Sequence, residues 1–248
     1  MSGTRSPSRK ERAIEAFIVA HGQPSEPEAG EEHLRALAQK VRVSLPDWTV
    51  RSATLALPGA LERALENCGP KPLVFPVFMA DGWFTQKALA GRLRGTSARQ
   101  LSALGTHPEL PRLAARLLRR AAERAGWAHR GFEVLLAAHG SATGSAAAAC
   151  TMRFADQLSC RLSETQIRVG FLEQEPRLAE AASHCGLRTL ALPLFAGAGG
   201  HPTRDVPEAL DRAGFQGLRL KPLGEAYFIP DLIAHALKCA AQIGNLAA

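Results

Sequence analysis

Residues 135–142 read LLAAHGSA, and residues 16–23 read AFIVAHGQ. Each is a short apolar run ending in Ala-His-Gly, and the two histidines, His21 and His139, lie 118 positions apart. The interval recurs, to within a residue, along the whole chain. KPLVFPVF (71–78) answers RTLALPLF (188–195), LPGALERALENCG (57–69) answers EPRLAEAASHCG (175–186), and LSALGTHPEL (101–110) answers LKPLGEAYFIPDL (220–232). One register fits four segments in order, which marks an internal duplication.

Within each copy, short apolar runs alternate with longer helical patterns. In the first, FIVA precedes EEHLRALAQKVRVSL, VRSATLAL precedes GALERALENCG, PLVFPVF precedes a Gln/Lys/Ala/Leu stretch, and a weak strand precedes ELPRLAARLLRRAAERAG. Strands separated by helices in this rhythm predict βαβ units and a parallel sheet. The expected architecture is α/β: two similar, doubly wound parallel-sheet halves, 13–127 and 131–248, joined through RAGWAHRGFE, with residues 1–12 as a loose basic tail.

Composition narrows the function classes. With 46% hydrophobic and 21% charged residues the chain matches ordinary soluble usage, and no apolar run approaches the roughly 20 residues that span a bilayer. The N-terminus lacks the apolar core of a secretory signal, and the five cysteines form no C-x-x-C pair, so reduced thiols and a cytoplasmic location are expected. The net charge of +7 favours anionic partners. The basic residues are spread along helical patterns and carry no nucleic-acid signature, so neither a nucleic-acid nor a membrane partner is expected.

Chemistry collects at the strand ends of the second copy. In open parallel sheets, ligands bind outside the carboxyl ends of the strands, where the strand order reverses. His139 follows the first strand, Glu173 and Glu175 follow the second in VGFLEQEP, and His201 follows the third in LPLFAGAGGHPTR. Two imidazoles and a carboxylate suit a divalent first-row metal, and they also suit proton removal near neutral pH. The glycines of AGAGG allow a sharp turn and leave room for something broad and flat. In the first copy His21 remains, but Leu55 or Leu57 stands opposite the glutamates and the Phe84 neighbourhood stands opposite His201. One full site is therefore expected, with Trp83 and Phe84 as a wall that could stack on a planar ligand. His33, His184 and His235 lie in helical patterns, where surface or capping roles are expected, and His107 is expected to serve a turn. No Walker-type phosphate loop, dinucleotide fingerprint or G-x-S-x-G nucleophile elbow is present.

A strand ending in AHGS, then FLEQEP, then LPLFAGAGGHPTRDVPEAL, then a short strand and Leu-Gly, resembles the class II tetrapyrrole chelatases, specifically the CbiX-type sirohydrochlorin chelatases in their long two-half form. The resemblance covers nearly all of the second half and, more faintly, the first. It implies ATP-independent insertion of a divalent metal into sirohydrochlorin or a related anionic tetrapyrrole, with cobalt expected first and iron or nickel as alternatives. The metal is then a substrate, and no organic cofactor is implied. By resemblance His139 and His201 hold the metal and accept pyrrole protons, with Glu173 as the acidic helper and Glu175 an alternative. His21, Trp83, Phe84 and Arg204 are candidates for substrate binding, with Lys87 and Arg153 further candidates for a basic rim. The competing expectation is a non-catalytic tetrapyrrole or metal carrier on the same scaffold. A monomer and a homodimer are both compatible with the fused halves.

Overall fold

The computed structural model describes residues 14–127, 131–142 and 144–246, the last three without their side chains. The expected tail at 1–12 and His129 lie outside the described residues. The first half runs β1 (Glu15–Ala20), α1 (Pro27–Val43), β2 (Thr49–Thr54), α2 (Ala60–Glu66), β3 (Leu73–Pro76), α3 (Ala90–Arg92), β4 (Arg99–Gln100) and α4 (Leu110–Arg124). The second repeats it as β5 (Glu133–Ala138), α5 (Ala146–Ser159), β6 (Ile167–Phe171), α6 (Leu178–Ser183), β7 (Thr189–Pro193), α7 (Val206–Arg212), β8 (Leu218–Arg219) and α8 (Ile229–Leu246). All pairings are parallel, and the strand orders are β2-β1-β3-β4 and β6-β5-β7-β8. In each sheet the order reverses beside the first strand, so the crevice falls between β1 and β3 and between β5 and β7.

Both faces of each sheet are covered, which is why these strands read as unbroken apolar runs. Successive side chains point to opposite faces. Ala16 and Ile18 of β1, with Val134, Leu136 and Ala138 of β5, join one large core, while Phe17 and Val19 pack outward with Leu61 of α2, and Leu135 and Ala137 outward with Leu178 and Ala182 of α6.

The large core passes through both halves. Helix α4 buries Leu110, Ala114, Leu118 and Ala122, at the spacing of one helix face, against β7 and α5 of the second half. In return, α8 packs on α1 and β3 of the first half. Two cross-links follow the same exchange: Ser44 donates to Asp231 at 2.8 Å, and an Arg99 Nη donates to the carbonyl of Ala240 at 2.7 Å. No described helix is long and apolar enough to cross a membrane.

Candidate functional site

His139 leaves the end of β5 through Gly140, whose φ of +74° turns the chain sharply; an added Cβ there would lie 2.7 Å from Gln174. Gly22, after His21, repeats the turn with φ +79°. The neighbouring strand brings the acid into place. The backbone amide of Glu173 donates to the carbonyl of His139 at 3.0 Å, and the Gln174 side chain accepts the Ser141 amide at 2.9 Å.

The third strand, β7, ends at Pro193 and leads through Leu194 and Phe195 into AGAGG, after which a π-helical turn, His201–Asp205, presents the second imidazole. The Thr203 hydroxyl returns to the Gly199 carbonyl at 2.8 Å and closes this loop. Its glycines have a second use besides the expected room for a ligand. His33 of α1 sits 3.1 Å from where a Gly197 Cβ would stand, and the Gln23 amide 3.8 Å from those of Gly199 and Gly200. The first half therefore packs on the loop that carries His201. His33 lies 3.8 Å from Glu225 of the second half, a contact that its expected surface role did not include. Reciprocally, Gly82 of the first half faces Ala146 at the start of α5.

The two imidazoles meet. His139 Nε2 and His201 Nε2 are 3.0 Å apart, with rings perpendicular and centroids 4.4 Å apart. Glu173 Oε1 lies 3.8 Å from His139 Nε2. Each Nδ1 faces an oxygen that can only accept: the Gly140 carbonyl at 3.1 Å for His139, and the Asp205 carboxylate at 2.6 Å for His201. Neutral rings that donate from Nδ1 to these oxygens would leave both Nε2 lone pairs facing the same gap. Two facing acceptors repel unless a cation lies between them. Metal–imidazole bonds of about 2.1 Å meeting at about 90° put their nitrogens about 3.0 Å apart. The 3.0 Å separation is one that two imidazoles bound to a single ion can span. Among the described residues no group of three or more His, Cys, Asp or Glu side chains is arranged to enclose a metal.

Asp205 is a site residue that the sequence reading passed over. It lies four positions after His201 in HPTRD, and it also takes the Arg204 Nε hydrogen bond on its other oxygen at 2.9 Å. That guanidinium, with a smaller contribution from His201 and against the opposing effect of partial burial, holds its carboxyl below the usual carboxylate range. Arg204, a candidate for gripping substrate, thus has its Nε committed to Asp205, while its side chain stays 70% exposed.

Of the two glutamates after β6, Glu173 is at the imidazoles. Glu175 turns away, accepts the Arg177 backbone amide at 2.9 Å and is 71% exposed. Arg153 is directed to Cys150 on its own helix at 3.1 Å, and Lys87 is exposed on the π-helical turn of the first half, Phe84–Leu89. His107 serves its turn, accepting the Glu109 amide on Nδ1 at 3.2 Å.

In the first half the aromatic side chains gather where the second half has its imidazoles. Phe84 packs on His21 at 4.2 Å between centroids, and Trp83 meets Phe84 edge-on at 5.2 Å. Trp83 is 67% exposed and Phe84 40%, an unusual exposure for such large apolar groups beside a polar cleft. His21 Nδ1 is buried and has no hydrogen-bond partner among the described residues, and burial lowers the pKa of the ring.

Strand order, duplicated halves and converging imidazoles define a protein of the chelatase-like α/β class. SirB from Bacillus subtilis with Fe3+ matches with a TM-score of 0.71 over 91% of this chain and 94% of its own, at 12% identity. DR2241 from Deinococcus radiodurans, a multi-domain protein with structural similarity to chelatases, matches with a TM-score of 0.63 over 90% of this chain and 54% of its own, at 16% identity. Both likenesses show the fold. CbiX, the terminal enzyme for biosynthesis of siroheme in denitrifying bacteria, is 42% identical over 91% of this chain and 99% of its own, with a TM-score of 0.82. The CbiX family model matches residues 133–240, the half that holds both imidazoles. The chain belongs to the CbiX family. No curated protein matches it.

Proposed function

We propose that the chain is a sirohydrochlorin chelatase that exchanges two pyrrole protons for one divalent metal ion without ATP. The observation that carries this reading is the 3.0 Å approach of His139 Nε2 and His201 Nε2, with both Nδ1 atoms held as donors elsewhere. Membership of the CbiX family supports the substrate class. The siroheme role of the 42% identical relative supports Fe2+ as the ion. Cobalt, the expectation from resemblance, uses the same donor set, since imidazole accepts several first-row ions.

The chemistry requires a site that holds a metal and then releases it. Two imidazoles bind the ion without enclosing it, leaving coordination positions for water and for incoming pyrrole nitrogens. As the ion passes into the ring, the two Nε2 lone pairs are freed and can take up the two protons that the ring releases. Charge balances, with one dication entering and two protons leaving. Glu173, 3.8 Å from His139, offers a further acceptor through which those protons reach solvent.

The macrocycle needs a flat, partly apolar face and a cationic rim. Trp83 and Phe84 supply exposed rings, His21 backs Phe84, and the Nη groups of Arg204, whose side chain is 70% exposed, can meet a substrate carboxylate. The test is anaerobic sirohydrochlorin with Fe2+, Co2+ or Ni2+, followed by absorbance in the absence of nucleotide. The expected result is turnover above the metal-only blank that is lost in His201→Ala. Tight binding of the tetrapyrrole with no rate above the blank would mean a carrier.

A further inference from the structure

Asp205 lies on the Nδ1 side of the His201 ring, 2.6 Å from that nitrogen, while Nε2 of the same ring faces His139. Its two oxygens are divided. Oδ2 takes His201 and Oδ1 takes Arg204 Nε at 2.9 Å, so the carboxylate plane is held from both sides. We infer that Asp205, clamped by Arg204, is a positioning residue that sets the tautomer of His201 and so turns its Nε2 lone pair toward His139. The inference rests on the reading of the imidazole pair as the metal site.

A carboxylate only accepts, so the ring nitrogen facing it must carry the hydrogen. Without that partner a neutral imidazole is free to place its hydrogen on Nε2, where it blocks both metal ligation and proton uptake. Partners of this kind hold metal-binding histidines in orientation, and their loss typically lowers metal affinity by about 10- to 100-fold. The first half fits the same logic in reverse. Where His201 has Asp205, the corresponding position after Phe84 is Ala88, and His21 has no Nδ1 partner among the described residues.

The clamp makes an unusual prediction for the isosteric variant. In Asp205→Asn, Arg204 Nε still demands an oxygen, so the amide oxygen turns to Arg204 and the NH2 faces His201. That NH2 donates to Nδ1 and forces the hydrogen onto Nε2. Asp205→Asn is therefore expected to be worse than Asp205→Ala, which leaves the tautomer unconstrained. Removing Arg204 in the Asn background frees the amide to turn its oxygen back to His201 and should rescue the site in part.

Two measurements on the full chain test this. Long-range proton–nitrogen correlation spectra report the His201 tautomer, and anaerobic Co2+ titration without tetrapyrrole reports the affinity of the pair. The expected results are an Nδ1–H ring in the parent, an Nε2–H ring with Co2+ affinity lowered at least about 10-fold in Asp205→Asn, and recovery of both in Arg204→Ala/Asp205→Asn. An Asp205→Asn protein that keeps the Nδ1–H ring and binds Co2+ within about twofold of the parent would overturn the inference, provided His201→Ala loses Co2+. If His201→Ala binds Co2+ as tightly as the parent, the metal-site reading fails and this inference falls with it.

Discussion

Phe84 packs its ring on His21 with centroids 4.2 Å apart, in the place that His201 takes against His139 at 4.4 Å. The backbone that presents them is the same, a strand end followed by a π-helical turn. The side chains differ, with aromatic rings in the first half and two imidazoles in the second.

The shared backbone makes the first half a testable blank. Phe84→His should add a weak second Co2+ site, and Phe84→His/Ala88→Asp a tighter one, because the added carboxylate can pin the new ring as Asp205 pins His201. Equilibrium dialysis should move from one ion per chain toward two. A double variant that still binds a single ion would contradict the view that this scaffold position builds the site.

Glu173 is expected to act on protons more than on the metal. Its Oε1 stands 3.8 Å from His139 Nε2, beyond hydrogen-bond range but close enough to receive a proton through one water. Glu173→Gln should lower the insertion rate by about 100-fold, within the usual range for losing a proton acceptor, while Co2+ affinity changes by less than about threefold. An equal loss in both quantities would make Glu173 a ligand instead.

Exchange of α4 and α8 predicts a single unfolding transition. Leu118 is fully buried where α4 packs on the second half, and Leu118→Ala should cost about 2–5 kcal/mol. Calorimetry should show one endotherm shifted as a whole. Two separated endotherms, only one of them moved, would mean that the halves fold independently.

Acid should weaken the fold through two half-buried histidines. Burial lowers the pKa of His21, and it lowers that of His107 too, where Glu109 opposes the shift and His235 adds to it. Unfolded histidines titrate near about 6.5, so below that pH the unfolded chain binds more protons than the folded one, and stability falls as pH falls. The urea midpoint should drop between about pH 7 and pH 5.5, and His21→Phe, which keeps a ring against Phe84, should flatten that slope. An unchanged slope would show that His21 plays no part in it.

The parallel sheets and the convergence of His139 with His201 were legible because each strand is a continuous apolar run and the repeat places both histidines at neighbouring strand ends. The exchange of helices was not. An amphipathic face such as Leu110–Ala114–Leu118 states that it is buried, not which sheet buries it. Glu173 and Glu175 were equivalent in sequence; the His139 carbonyl and Arg177 separate them in space. Asp205 had a signal in the His-x-x-x-Asp spacing, but its meaning depends on the turn that brings the carboxylate back to Nδ1. The glycines of AGAGG suggested open space, and part of that space belongs to Gln23 and His33, which sequence separation hides.

The central claim is that one metal ion is held jointly by residues 139 and 201. X-ray absorption on protein loaded with one equivalent of Co2+ tests it most directly. The account predicts two imidazole nitrogens at about 2.1 Å with light oxygen donors completing the shell, and the loss of that signal in His201→Ala. A Co2+ shell with no imidazole, or one unchanged by removing His201, would contradict it.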